Sequence, residues 1–353
     1  APLLHCHLTF SSHPGVAMTT RFALGTYARQ GGGAFAGLVL GSHVIDVAIA
    51  HAAYRGSSSK GPGPLSATTT LLGILEDWER NFDVLQAIAE FVSKEGPASA
   101  VFRGGVFDVA ALRPLPPVLR PSKILNCAAN YSAHLAEMRQ YTLHGGNVDP
   151  AKVYKGDKEN AEPYFFLKAP STLSGAYDDI VLPALDYQID WEAELGVVIG
   201  TRGRRISAAR SLDYVAGYTV FNDVSCRNRL WRDDRPNIRT DWLSSKSFDT
   251  FGPCGPVLVP RAFIPDHAKL RIQLRVNGQT MQDGVPGDMI YSTQEQIEYI
   301  SKTMTVEPGD LFATGTLGGV GQGRGIFLKP NDIVETEIQD IGMLRNRVIG
   351  PAE

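Results

Sequence analysis

Cysteine is scarce in this chain and poorly placed for chemistry. There are four, Cys6, Cys127, Cys226 and Cys254, far apart and without a Cys-x-x-Cys pair. That argues against a zinc site and a disulfide scaffold, and it suits a reducing compartment, with the cytoplasm the expected location. Charge of one sign is missing too. The 34 Lys and Arg nearly balance the 37 Asp and Glu, for a net charge of −3. Without a basic excess there is no electrostatic footprint for nucleic acid. No apolar run approaches the roughly 20 residues that span a bilayer, so a membrane is not an expected partner. No internal repeat marks a solenoid. Residues 1–17 lack the basic start and long apolar stretch of a secretory signal. With Met18 following, they read as an upstream extension or expression remnant.

The 353 residues are 43% hydrophobic, enough for one large core or two smaller ones. From Arg21 to Ala48 the pattern is strand, glycine turn, strand, strand, with Gly31–Gly33 and Gly41-Ser42 supplying turns. Ser57–Pro64 reads as a loop. Leu71–Trp78 and Asp83–Lys94 read as helices, with Asp83 capping the second. Pro114, Pro116, Pro117 and Pro121 mark residues 113–122 as a linker that resists regular structure. It divides a small N-terminal domain, 18–112, from a larger one, 123–353. Strands dominate the larger part: Ile124–Ala128, Tyr164–Lys168, Gln188–Gly200, Val215–Asn222, Leu270–Asn277 and Ile333–Ile338. Helices are expected at Ser132–Gln140 and at Thr293–Met304, the second opened by a Ser292-x-x-Glu295 capping box. The order is irregular, so the class is α+β rather than a doubly wound sheet.

The run Ile189-Asp-Trp-Glu-Ala-Glu-Leu-Gly-Val-Val-Ile-Gly200 carries the strongest chemical signal. Read as a strand, it places Ile189, Trp191, Ala193, Leu195, Val197 and Ile199 on one face, and Asp190, Glu192 and Glu194 on the other. Like charges stacked at i and i+2 repel, and a hard divalent cation removes that penalty. The alternative is a solvated acidic face. Asp223, after the apolar strand Tyr214–Phe221, could add a third carboxylate, or belong to a turn-forming Asn222-Asp223 pair. His134 and Glu137 share a helix face, where a carboxylate can orient an imidazole as a general base, or form a surface pair. Lys168, Arg227 and Lys246 could clamp an anion. The run Ala313-Thr-Gly-Thr-Leu-Gly-Gly-Val-Gly321 could bring backbone N–H groups to a carboxylate, or be a flexible turn.

Taken in order, Lys123-Ile-Leu-Asn-Cys-Ala-Ala-Asn-Tyr-Ser-Ala-His134, Phe166–Thr172, Glu192–Gly200, Asn222–Arg227, Lys246–Pro253, Val276-Asn-Gly278, Asp288–Ile290 and Thr314-Gly-Thr316 resemble the fumarylacetoacetate hydrolase superfamily, over roughly residues 121–349. The resemblance implies a rolled, mixed β-sheet core in the C-terminal domain and a β-rich N-terminal domain with helices. It implies a homodimer holding Mg²⁺, or Mn²⁺ or Ca²⁺, on Glu192, Glu194 and Asp223. It makes His134 with Glu137 the water-activating dyad and Lys168 the oxyanion partner. Tyr131, Arg227, Lys246 and Thr316 would surround a keto-acid substrate. Four departures bear on that substrate. Gly315-Thr316-Leu317 stands where the family has Gly-Thr-Pro, so a less rigid loop is expected. Ser245 replaces a glycine, no glutamine follows Arg227, and the Thr142–Glu162 loop is long. The expected activity is metal-dependent hydrolysis of a carbon–carbon bond in a 2,4-dioxo acid. A lyase or isomerase acting on a related keto acid, oxaloacetate tautomerase or decarboxylase included, is the main alternative. A non-catalytic binder is the third.

Overall fold

The computed structural model describes residues 20–29, 33–57, 61–145, 158 and 161–351. The expectations for residues 1–17, for the Gly31-Gly32 turn and for most of the Thr142–Glu162 loop lie outside them. Up to the proline-rich run, the elements are β1 (Ala23–Ala28), β2 (Ala34–Leu40), β3 (His43–Asp46), α1 (Val47–Ser57), α2 (Leu71–Leu75), α3 (Trp78–Glu95), β4 (Val106–Asp108) and β5 (Arg113–Leu115). There follow β6 (Ile124–Ala128), α4 (Ser132–Gly145), β7 (Tyr164–Lys168), β8 (Leu173–Ser174), β9 (Ile180–Val181), β10 (Ile189–Asp190), β11 (Ala193–Ile199), β12 (Val215–Asn222) and β13 (Ser225–Cys226). The last are α5 (Trp242–Lys246), β14 (Gly252–Pro260), β15 (Ile272–Val276), β16 (Gln279–Gly284), α6 (Thr293–Thr303), β17 (Leu311–Ala313), β18 (Ile333–Ile338) and β19 (Gly342–Ile349).

The fold is α+β around a large mixed sheet in the order β4-β3-β2-β1-β14-β12-β11-β17-β6-β7. Most pairs are antiparallel, but β6 runs parallel to β17. A second sheet, β16-β15-β18-β19-β9, packs through β15, β18 and β19 over β11, β12 and β14. Strands β11 and β12 are therefore buried on both faces, which suits their runs of Val, Ile, Leu and Phe. The β1–β14 pairing makes the N-terminal strands continuous with the rest of the large sheet. The aromatic contact of Phe22 with Phe263, 5.1 Å between centroids, packs beside it.

Several expectations need correction. Asp83 caps nothing: α3 already begins at Trp78, with Asp77 at its N-cap. Trp78 packs on Phe82 at 5.5 Å, and the Asn81 side chain donates to Ile74 O, so packing extends the helix a turn upstream. The proline-rich run is not wholly irregular. Its β5 pairs antiparallel with β1 and sets Pro114 opposite Tyr27, a place proline tolerates on a strand with a free edge. Helix α4 extends to Gly145, so the predicted loop starts later than Thr142. The capping box is as expected: Ser292 N–H donates to Glu295 and Glu295 N–H to Ser292 Oγ. The Asn277-Gly278 turn joins β15 to β16 with both residues at positive φ, the chemistry a tight hairpin demands.

Candidate active site

The acidic strand is broken where its chemistry lies. Between β10 and β11, Trp191 and Glu192 leave the ladder. Glu192 N–H donates to the side chain of Asn222 at 3.0 Å, and Asp223 N–H to Glu192 O at 2.9 Å. These bonds pin the end of β12 to the start of β11. Carboxylate oxygens of Glu192, Glu194 and Asp223 all lie within 4.8 Å of one another, and all three residues are buried. The solvated-face alternative is excluded. Asp190 does not join the group. It accepts from Trp191 N–H at 2.8 Å, Gly321 N–H at 2.7 Å, Gln322 N–H at 3.0 Å and Arg227 Nε at 2.7 Å.

Three buried cations surround the triad. Lys246 Nζ bridges Glu192 and Asp223, 2.7 Å from each. Lys168 Nζ lies 2.5 Å from Asp223 and donates also to Val224 O. Arg227 Nη2 is 2.7 Å from Glu192 but out of line for a hydrogen bond, its N–H being without a good acceptor. Burial opposes ionisation of Glu192, yet Lys246 and Arg227 outweigh it and hold its carboxyl far below the usual range. Glu194 goes the other way. Burial, with the charges of Asp223 and Glu192, pushes it well above the usual range. Burial lowers Lys168 to about 8 against the pull of Asp223. The three carboxylates and three cations balance in number, but the ion pairs go to Glu192 and Asp223, and Glu194 is left crowded by both. A further cation beside Glu194 would relieve that crowding, and an oxygen-only donor set suits a hard divalent ion.

The glycine run serves these acids. Gly315 N–H donates to Glu194 at 2.8 Å, Gly319 N–H to both oxygens of Glu137 at 2.8 and 2.9 Å, and Gly321 N–H to Asp190. The backbone amides that could hold a carboxylate hold the protein's own. Gly319 has φ +101°, and a Cβ there would sit 2.0 Å from Met281 O. The loop is also tied where the family proline is missing, since Gln282 Nε2 donates to Leu317 O and to Thr316 Oγ1. Ser245 hydrogen-bonds Cys226 O and anchors α5 on β13.

A cavity of about 580 Å³ opens on Glu192 and Asp223 of the triad, with Glu194 behind them, and His134, Arg227, Lys246 and Thr316 are among its other lining residues. His134 Nδ1 and Glu137 are 4.0 Å apart, longer than a hydrogen bond. Burial opposes the Glu137 charge, but His134 and the Gly319 N–H lower its carboxyl. Lys168 does not line this cavity; it stands behind Asp223. Tyr131 lies on a neighbouring cavity of about 510 Å³ with Glu137. Thr316 Oγ1 donates to Ala193 O, so it fixes the loop as well as facing the cavity.

Sequence reasoning passed over Gln282, Phe166 and Trp242. The signal for Phe166 was in the chain: in Tyr164-Phe-Phe-Leu-Lys168, alternation places Tyr164, Phe166 and Lys168 on one face. Gln282, whose side chain also accepts from Ala193 N–H, gave no local signal.

The family model described as fumarylacetoacetate (FAA) hydrolase C-terminal matches residues 123–349. Among curated proteins, the oxaloacetate tautomerase FAHD2A, mitochondrial, of Bos taurus is 40% identical over 237 residues, covering 67% of this chain and 69% of that protein. Its Homo sapiens counterpart is 39% identical with the same coverage. Among solved structures, maleylpyruvate hydrolase from Sphingobium sp. SYK-6, in complex with manganese(II) and pyruvate, aligns with TM-score 0.66 at 25% identity, covering 94% of this chain and all of that one (100%). A 2-hydroxyhepta-2,4-diene-1,7-dioate isomerase from Mycobacterium marinum aligns with TM-score 0.63 at 26% identity, with the same coverages, 94% and 100%.

Proposed function

The chain belongs to the fumarylacetoacetate hydrolase family, and from that premise we propose that it catalyses keto–enol interconversion of a small 2-oxo acid with a divalent cation as cofactor. The observation that carries the reading is the buried Glu192–Glu194–Asp223 group opening on a cavity that His134 lines. Glu192, Glu194 and Asp223 would hold the cation, with Mg²⁺ the first choice and Mn²⁺ or Ca²⁺ able to replace it. Bound there, it supplies Lewis acidity that favours an enolate over a carbanion. Arg227 and Lys246 orient the acid's carboxylate and keep positive charge beside the developing enolate. His134 would carry the proton between carbon 3 and the 2-oxygen, so that keto and enol forms interconvert without net gain or loss of a proton. The curated relatives named as oxaloacetate tautomerases support this choice over hydrolysis.

Hydrolysis of a carbon–carbon bond in a 2,4-dioxo acid is the second reading. The shared helix face of His134 and Glu137 favours it, because closing the 4.0 Å gap by less than 1 Å on substrate binding would orient the imidazole to activate water. Homodimer assembly and residence in the cytoplasm belong to the same proposal; sedimentation and cell fractionation test them. Among the described residues, no helix is long and apolar enough to cross a membrane.

The test follows the ultraviolet band of enol-oxaloacetate in the presence of Mg²⁺ and after EDTA. Metal-dependent decay well above the uncatalysed rate is expected. Decay at the uncatalysed rate, with a carboxylic acid released from acetylpyruvate, would move the assignment to hydrolase.

A further inference from the structure

Strand β7 runs from the cavity wall down to the carboxylates. Its cavity-side face carries Tyr164, more than half exposed, and Phe166, both lining the cavity, and then Lys168 on Asp223. Helix α5 completes the wall. Trp242 and Lys246 lie one turn apart, and both line the cavity. The rings form one surface: Phe166 stacks on Trp242 with centroids 4.6 Å apart and planes at 22°, and Tyr164 meets Trp242 at 5.7 Å. The Lys246 ammonium stands 5.2 Å from the Phe166 ring centre, so this surface begins beside the charged group. Trp231 and Tyr291 add further aromatic lining.

A four-carbon diacid uses little of this. A volume of about 580 Å³ lies within the range of roughly 300–1,000 Å³ that holds much larger ligands. Among the described residues, the Lys and Arg side chains lining the cavity are Arg227 and Lys246, both already beside Glu192. Lys158, over the Tyr291 ring, is paired with Glu295.

We propose that this cavity takes a 2-oxo acid whose far end is a flat, apolar acyl group, aryl or conjugated, packed on the Phe166–Trp242 surface. This names the substrate class of the reaction proposed above and rests on that reading for the 2-oxo acid end. Trp242 is then the residue that sets specificity.

The experiment is titration calorimetry of the full chain loaded with Mg²⁺, using benzoylpyruvate, acetylpyruvate and oxaloacetate, with enol absorbance followed in parallel. Exchanging a methyl for a buried phenyl should tighten binding roughly 10- to 100-fold. Trp242→Leu should cost benzoylpyruvate about tenfold and leave acetylpyruvate nearly unchanged. Trp242→Phe keeps an aromatic ring of smaller area. It should fall between wild type and Trp242→Leu, and it guards against a leucine variant that fails to fold. Equal affinity of the wild type for benzoylpyruvate and acetylpyruvate would overturn the proposal. So would an equal loss for both in Trp242→Leu. The two readings fail separately. Phenyl-selective binding without turnover of any compound keeps the ligand class and rejects the reaction. Turnover of oxaloacetate without phenyl preference keeps the reaction and rejects the class.

Discussion

Asp190→Ala is the substitution whose cost is best defined by the structure. The carboxylate is fully buried and holds four donors: the Trp191, Gly321 and Gln322 amides and Arg227 Nε. Removing one member of a buried ion pair costs about 3–5 kcal/mol. Each buried N–H left unpaired adds about 1–3 kcal/mol, though such terms overlap. Arg227 keeps only the out-of-line approach to Glu192, and water entering the space left would satisfy some amides. A total of about 5 kcal/mol is reasonable. Unfolding entropy of about 2.1 cal/mol/K per residue over 353 residues is about 0.7 kcal/mol/K, so Tm should fall by about 7 °C. Asp190→Asn keeps one acceptor oxygen but turns an NH₂ toward two of the four donors. It should cost about 3 kcal/mol. Calorimetric melts and urea midpoints of both variants give the comparison. In both, metal affinity should also fall, because Arg227 no longer has a fixed position beside Glu192. An alanine variant melting within about 1 °C of wild type would show that Asp190 does not fix Arg227 and the glycine loop.

Three further outcomes follow from the same geometry. Glu194 is held above its unfolded value of about 4.3, so the metal-free protein binds the extra proton in the folded state. Its stability should fall as pH rises from that unfolded value through the raised folded one, and calorimetry in buffers of different ionisation enthalpy should show proton release on Mg²⁺ binding. Gly319→Ala forces a Cβ against Met281 O at positive φ and should cost about 2–4 kcal/mol in urea unfolding, with looser anchoring of Glu137. His134→Gln should lower kcat about 10²–10⁴-fold while leaving calorimetric metal affinity unchanged; an unchanged rate would make the imidazole structural.

Glu192 and Glu194 were legible because two acids at i and i+2, embedded in Leu, Val and Ile, are costly without a purpose; Asp223 had a turn as its alternative, and the family resemblance added it. The capping box was legible because its chemistry is local. Asp190 was misplaced because the strand break at Trp191 and Glu192 depends on Asn222, some thirty residues away by number and adjacent only in the fold. Asp83 misled because Trp78 and Phe82 extend α3 by tertiary packing. The glycine run showed its freedom in sequence but not its partners. That Gly315, Gly319 and Gly321 hold Glu194, Glu137 and Asp190 is a property of how β11, α4 and β10 converge. Residue by residue, Lys168, Arg227 and Lys246 read as separate charges; the family resemblance grouped them, and only the structure puts Lys168 behind Asp223 rather than against the cavity.

The most direct test of the metal-centred account is Glu194→Gln. This exchange removes a carboxylate while keeping an acceptor for Gly315 N–H and breaking none of the three lysine pairs. Mn²⁺ binding measured by electron paramagnetic resonance, alongside the rate of enol-oxaloacetate decay, reads both halves of the claim. The account predicts that affinity and rate fall together by at least tenfold while Tm holds or rises, since repulsion with Asp223 and Glu192 is relieved. Full metal-dependent turnover with wild-type Mn²⁺ affinity would contradict it.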